Sequence, residues 1–227
     1  GIPIYQAGSY LNHIGKIELT ISNKSVKSIN YELIDLNTLT EEDPIIRNII
    51  EGYNDEPLFK EVVGFSELNH GRYQVGNFTA DALRKQMNVD IAFQNTGGVR
   101  ANLDYGDITT REIFNILPFN NSAISYSMTV AEIKNFLRGS GAGFYYSGVT
   151  IKLRNSDIEI TDLLGNIIPD STILTVGVND YIPAVYDTYF NSSKVVSTQT
   201  DAETVISFLK EKNNTVNYPT SENYFEF

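Results

Sequence analysis

Between Ile17 and Ile21 apolar and polar residues alternate, as they do along a strand with one buried face. Residues 14–21 therefore read as a strand. Ser22-Asn23-Lys24-Ser25 reads as a turn, and residues 28–33 alternate again as a second strand. The pattern then changes. Over residues 38–54 the period is helical, with Ile45, Ile46, Ile49 and Ile50 recurring on one side. Pro44 falls in the first turn of that helix, where its missing donor does no harm. Past it, strands and helices alternate. Residues 59–65 predict a strand, 77–87 a helix and 89–94 a short buried strand. Thr109 with Glu112, Thr129 with Glu132 and Thr200 with Glu203 each spell a capping box at a helix start. Further strands are predicted at 123–128, 148–153, 158–162 and 173–178. The tail, residues 213–227, is polar and aromatic, which predicts partial order. The fold class that results is α/β, an α+β layered domain with a mixed β-sheet packed with helices.

Composition narrows the function classes. The chain has 227 residues and is 41% hydrophobic, enough for a sizeable core. Its 17 Lys and Arg stand against 28 Asp and Glu, a formal net charge of -11. That argues against nucleic acid or an anionic membrane as the main partner, since both need basic surface. It also makes each arginine informative, because an anion site has to be built locally against the overall field. No cysteine is present, which excludes disulfides and thiolate metal sites. No apolar run approaches the roughly 20 residues of a membrane span. The chain opens Gly-Ile-Pro-Ile, which leads us to expect a piece of a longer protein, with any signal peptide upstream.

The candidate chemistry is that of binding. The two histidines, His13 and His70, are far apart, and no His-x-His, His-x-Asp or Asp-x-His pair occurs. A two-metal hydrolase needs such ligands around ions about 3.5–4 Å apart. No Gly-x-Ser-x-Gly elbow is present either. We therefore assign no catalytic residue and no metal ligand within this chain. Asn95-Thr96-Gly97-Gly98-Val99-Arg100 is different. A glycine pair after an apolar run lets backbone approach a ligand, and the arginine supplies a fork of donors suited to phosphate or carboxylate. Its plainer alternative is a tight turn whose arginine pairs with a carboxylate. Phe119, after Pro118 at a helix end, and Tyr181, in the loop after the strand 173–178, could sandwich a flat heterocycle. Packing and a loop tyrosine are their plainer readings. Asp187 could accept from both hydroxyls of a ribose, or be a surface acid.

In this order the elements resemble the C-terminal domain of the 5′-nucleotidase family, which includes UDP-sugar hydrolases and 2′,3′-cyclic-nucleotide phosphodiesterases. Pro3 to Tyr10, followed by Ile14-Gly15-Lys16-Ile17, is similar to the closing segment of that family's metallophosphatase domain. Gly76-Asn77-Phe78-Thr79-Ala80-Asp81-Ala82 resembles its Gly-Asn-x-x-x-Asp-Ala helix start. Asp90-Ile91-Ala92 through Arg100, Gly106-Asp107-Ile108-Thr109 and Leu117-Pro118-Phe119 resemble its central signature. The resemblance implies three segments: closing strands of an N-terminal metallophosphoesterase domain at 1–36, an interdomain helix at 37–55 and a substrate-binding domain at 56–227. It implies that Arg100 binds the substrate phosphate at the Gly97-Gly98 turn and that Asn95 contacts the base. It further implies that Phe119 and Tyr181 clamp the base and that Asp187 holds the ribose.

The resemblance places two divalent metal ions and the nucleophilic water in an N-terminal catalytic domain of the same chain, with none bound here. The C-terminal domain would rotate on the interdomain helix to deliver substrate. The expected partner is a nucleotide or nucleoside, and the expected location periplasmic, cell-surface or secreted. Thr96 stands where the family usually has glycine, and Val185-Tyr186-Asp187-Thr188 replaces its Gly-Gly-Asp-Gly, with bulky residues beside the ribose. The family's arginine ahead of the Gly-Asn helix start maps near Asn69, with Arg72 displaced toward the helix. A diverged, non-catalytic surface or ligand-binding module is the alternative to a nucleotide-hydrolysing enzyme. Metal motifs upstream would separate the two.

Overall fold

The computed structural model describes residues 2–9, 11–220 and 222–227. Tyr10, part of the opening segment quoted above, lies outside them. The chain divides into two compact units between Asn54 and Asp55.

In the first unit β1 (His13–Ser22) pairs antiparallel with β2 (Ser25–Asp35). Asn23 and Lys24 turn the hairpin with φ of 51° and 61°, the left-handed pair that suits a two-residue connection. Tyr31 donates to the Gln6 carbonyl at 2.8 Å and stacks on Tyr5 at 4.5 Å, which anchors the opening segment to the ribbon. The helix α1 (Pro44–Asn54) starts at its proline and is shorter than the periodicity predicts. Asp43 accepts from the Ile45 amide at 2.8 Å and sets that start. Its isoleucines Ile45, Ile46, Ile49 and Ile50 are 51–69% exposed.

The second unit runs α2 (Pro57–Lys60), β3 (Val62–Ser66), α3 (Arg72–Met87), β4 (Ile91–Asn95), β5 (Gly106–Thr109), α4 (Thr110–Ile116), β6 (Ser122–Thr129) and α5 (Val130–Ser140). It continues with β7 (Phe144–Ser147), β8 (Thr150–Arg154), β9 (Asp157–Thr161), β10 (Ile173–Asn179), α6 (Tyr181–Val185), β11 (Lys194–Thr200), α7 (Asp201–Glu211), β12 (Thr215–Val216) and β13 (Tyr224–Phe225). A six-stranded sheet has the order β11-β6-β10-β4-β7-β13. β10 and β4 are parallel and the other pairs antiparallel, so the sheet is mixed. A small sheet, β12-β3-β5, and the hairpin β8-β9 complete it.

Core lies on both faces of the large sheet. β7 shows why: Phe144 and Tyr146 pack with α5, β8 and β9, while Tyr145 between them packs with α3 and α7. Successive side chains of a strand point to opposite faces, so a strand covered on both sides reads as an unbroken apolar run. The predicted strand at 148–153 corresponds to β8, and β7, parted from it at Gly148, is a strand the sequence reading did not predict. That residue has φ 103°, and a Cβ there would stand 2.1 Å from the Asp90 carbonyl oxygen. All three capping boxes form, with threonine and glutamate satisfying each other's backbone amides.

The Gly-Asn-x-x-x-Asp-Ala stretch lies inside α3, which begins five residues earlier than the pattern predicts. Gly76 lets Tyr145 approach: a Cβ there would meet its ring at 2.3 Å. Asn77 grips the chain at Asn223 twice, donating to its carbonyl at 2.9 Å and accepting from its amide at 3.2 Å. Asp81 takes Tyr218 at 2.7 Å, Ser147 at 2.8 Å, Lys85 at 2.7 Å and Arg84 at 3.2 Å. Burial pushes the Asp81 pKa up, but the bonds from Lys85, Tyr218 and Ser147 outweigh it and hold the carboxyl below its usual value.

These grips correct the expectation of a partly ordered tail. Val216 is fully buried, and β12 and β13 each join a sheet. Tyr218→Phe removes a hydrogen bond to a carboxylate, and the expected loss is about 1.5–3 kcal/mol. Urea unfolding measures it. A change within about 0.5 kcal/mol, the range of an ordinary surface substitution, would mean that Tyr218 does not hold the tail.

Candidate functional site

The site grows from strand ends. β4 ends at Asn95, and the chain makes a 3-10 turn at Thr96–Gly98 before Val99 enters the core. Two guanidiniums touch this turn. Arg100 donates to the Gly97 carbonyl at 3.4 Å, and Arg72 to the Thr96 carbonyl at 3.2 Å. Arg100 is exposed, and its backbone amide is tied to Ile116 at 2.8 Å, beside the end of α4. That places it next to Phe119: the guanidinium lies 5.8 Å from the ring centroid, within cation–π range. Arg72 is the first residue of α3, so its displacement toward the helix leaves it at the turn that carries Arg100.

Antiparallel pairing of β6 with β10 places the other aromatic at the same end of the sheet. Ala123 is opposite Asn179, and the Asp180 amide donates to the Ser122 carbonyl at 2.9 Å. Phe119 leads into β6 and Tyr181 leaves β10, so both project from one end of the sheet. They are 54% and 49% exposed, in a domain whose other large rings mostly pack inward. Tyr181 is the first residue of α6 and not part of a loop, which corrects the sequence reading.

Asp187, also exposed, opens a 3-10 turn after α6. Of the bulky replacements ahead of it, Tyr186 packs on Phe136 and Phe144 at 5.8 and 6.0 Å, while Val185 is exposed. Burial, and after it the neighbouring Tyr181, push the Tyr186 phenol up. Contacts thus join Gly97, Arg100 and Phe119 directly. Asn179 joins Asn95 to α6, the helix that Tyr181 begins: its side-chain amide donates to Asn95 at 2.9 Å and accepts from the Ile182 amide at 3.3 Å.

Two buried groups at this end escaped the sequence reading. Asn179 is fully buried and links β4, β10 and α6. Asp201, the first residue of α7, is 1% exposed. Its amide donates to the Asn121 carbonyl, two residues beyond Phe119, at 2.8 Å. Burial pushes its carboxyl up to about 7. The Ala202 amide and the Asn121 side chain oppose that, and the charge of Asp180 adds to it. In sequence an acid in the first turn after a capping box looks like an exposed complement to the helix dipole. Nothing there marks it as buried.

His70, the histidine of this unit, takes its partners elsewhere. His70 is buried, 3.0 Å from the Ser66 hydroxyl, and accepts from the Tyr218 amide at 3.0 Å. Among the described residues no three His, Asp or Glu side chains converge as metal ligands. The groups present therefore do not fit a two-metal centre, and we derive no bond-breaking step within this chain. Among the described residues no helix is long and apolar enough to cross a membrane.

A layered domain with a mixed sheet, an arginine-flanked glycine turn and exposed rings at the strand ends is the form of a ligand-binding domain. The family model described as "5'-nucleotidase, C-terminal domain" matches residues 59–190, and the chain belongs to that family. The trifunctional nucleotide phosphoesterase protein YfkN of Bacillus subtilis is 28% identical over 152 residues, covering 59% of this chain and 10% of the relative. Endonuclease YhcR of the same organism is 27% identical over 201 residues, 79% of this chain and 16% of the relative. The crystal structure of a 5'-nucleotidase precursor from Thermus thermophilus superposes with a TM-score of 0.74 at 21% identity, over 96% of this chain and 50% of that one. That likeness establishes the fold. The chain thus spans a tenth to a sixth of these curated relatives and half of the solved structure.

Proposed function

We propose that this chain is the substrate-binding part of a metal-dependent phosphoesterase that hydrolyses nucleotide phosphate esters, of the 5′-nucleotidase, UDP-sugar hydrolase or cyclic-nucleotide phosphodiesterase type. One observation carries the reading: Arg100 and the exposed rings of Phe119 and Tyr181 emerge at the same end of the sheet. A cation for phosphate beside two rings for a base suits a nucleotide. Arg100 takes the phosphate, and Arg72 adds a second guanidinium at the same turn. Phe119 and Tyr181 hold the base, Asn95 contacts it, and Asp187 accepts from the ribose hydroxyls.

The two metal ions, which supply the activated water, belong to a preceding domain of the longer protein. Residues 1–36 close that domain and 37–55 connect it to 56–227. This chain's own work is to bind and orient the nucleotide while the connector carries it to the metals. The protein works outside the cytoplasm, in the periplasm, at the cell surface or secreted. Family membership supports the reading, as do the activities in the relatives' names.

Calorimetric titration of the chain with AMP tests it. Each base stack is worth roughly 1–3 kcal/mol, so Phe119→Ala or Tyr181→Ala should weaken AMP about 5- to 150-fold. Inorganic phosphate, which makes no stack, should bind either variant as it binds the parent. Equal AMP affinity in all three proteins would sink the clamp. Tighter binding of a single-stranded oligonucleotide than of AMP would move the substrate to nucleic acid.

A further inference from the structure

Three amides meet where β4 and β10 end: Gln94, Asn95 and Asn179. Each has one oxygen and one NH2 group, and its orientation is set by its partners. The Ile182 amide, in the first turn of α6, can only donate, and it reaches Asn179 Oδ1 at 3.3 Å. That fixes Asn179. Its Nδ2 then faces β4, donating to Asn95 Oδ1 at 2.9 Å and to Gln94 Oε1 at 3.4 Å. Asn179 is fully buried, so these bonds are made away from water.

Both β4 amides have therefore given their oxygens to Asn179. Their nitrogens are left for other partners beside the glycine turn, which the Asn95 oxygen also lines, 2.8 Å from where a Cβ on Gly98 would stand. Asn95 Nδ2 is 3.7 Å from where a Cβ on Gly97 would stand, and Gln94 Nε2 is 2.4 Å from where one on Gly98 would stand. A side chain at Gly98 would displace the arrangement, which gives that glycine a reason of space. Gln94 is fully buried, and its Nε2 has no hydrogen-bond partner among the described residues. With Arg72 and Arg100 also at the turn, the side chains gathered there present donors.

We propose that Asn179 is a positioning residue that holds the Asn95 amide with Nδ2 toward the ligand, so that the ligand atom read there is a lone-pair acceptor. A carbonyl, an unprotonated ring nitrogen or a phosphate oxygen fits, and an amino group does not. This rests on the reading of Asn95 as a ligand contact.

Side-chain amide NMR of the 15N-labelled chain tests the orientation without ligand. The Asn179 NH2 protons should exchange slowly with water and those of Asn95 quickly, and AMP should slow the Asn95 protons. The reverse pattern in the free chain overturns the proposal. Asn95→Asp still accepts from Asn179 but shows the ligand an oxygen in place of NH2, and an unpaired acceptor of this kind should raise the AMP Kd about tenfold or more. Asn179→Asp should do the same by turning the Asn95 amide around. If that buried variant does not fold, Asn95→Asp decides alone. Parent-like affinity in folded Asn95→Asp overturns the proposal. If the parent binds no nucleotide, the functional reading fails and this one with it, while the exchange pattern still tells which way Asn95 points.

Discussion

Arg100→Ala in the full-length protein is expected to lower kcat/KM by about 10–1000-fold, or about 1.5–4 kcal/mol of lost charge-assisted contact. The expected change in melting temperature is small. One tie of this residue to the fold, its backbone amide on the Ile116 carbonyl, is left in place by the substitution. The side chain is exposed, its bond to Gly97 is long at 3.4 Å, and its contact with Phe119 is 5.8 Å to the ring centroid. Exposed cation–π contacts are worth about 0.5–1 kcal/mol. Neither of these two contacts contributes much to stability, so the expected effect of the substitution is on substrate handling. Arg100→Lys keeps the charge and loses the planar fork, so an intermediate rate is expected. Steady-state kinetics beside thermal melts separate the outcomes. A large loss of stability at unchanged specific activity would make Arg100 a structural residue and empty the phosphate assignment.

What the sequence revealed, and what it hid, follows from how far each signal reaches. Local chemistry was legible. Thr109, Thr129 and Thr200 with their glutamates mark three helix starts, because a capping box closes within four residues. Alternation marked β1 and β2, because each leaves one kind of residue on each side of a single ribbon. β7 was missed, since Phe144, Tyr145 and Tyr146 are buried on both faces and carry no period. The tail looked loose because its restraints come from far along the chain. Asn77 reaches Asn223 and Asp81 reaches Tyr218. In the candidate site the glycine turn, Arg100 and the rings stood out by residue type. Asn179 and Asp201 did not, since burial gives each its role and no neighbour in sequence reports it.

Asp201 has the other large expected effect, and its sign is opposite to that of most carboxylates. The folded chain holds its carboxyl up at about 7 from an ordinary 3.8, chiefly by burial. Between those values the folded state carries a proton that the unfolded state has released. Stability from this group is fully present below about pH 4 and is lost as pH rises through about 7. Such a displacement corresponds to an upper value of about 4 kcal/mol. Asp201→Asn keeps an oxygen for the Ala202 amide, which Asp201 now accepts at 2.8 Å, and removes the charge that burial opposes. Chemical unfolding at pH 4, 5.5, 7 and 8 isolates the effect as parent minus variant. That difference should fall steadily across the first three points and level off at the last, leaving Asp201→Asn the more stable protein at pH 8. Asp180, whose charge adds to the upward push, offers a second handle: Asp180→Asn should shift the fall to lower pH. A difference that stays flat with pH, or rises, would mean that Asp201 is ionised in the folded chain and held there by its amide partners.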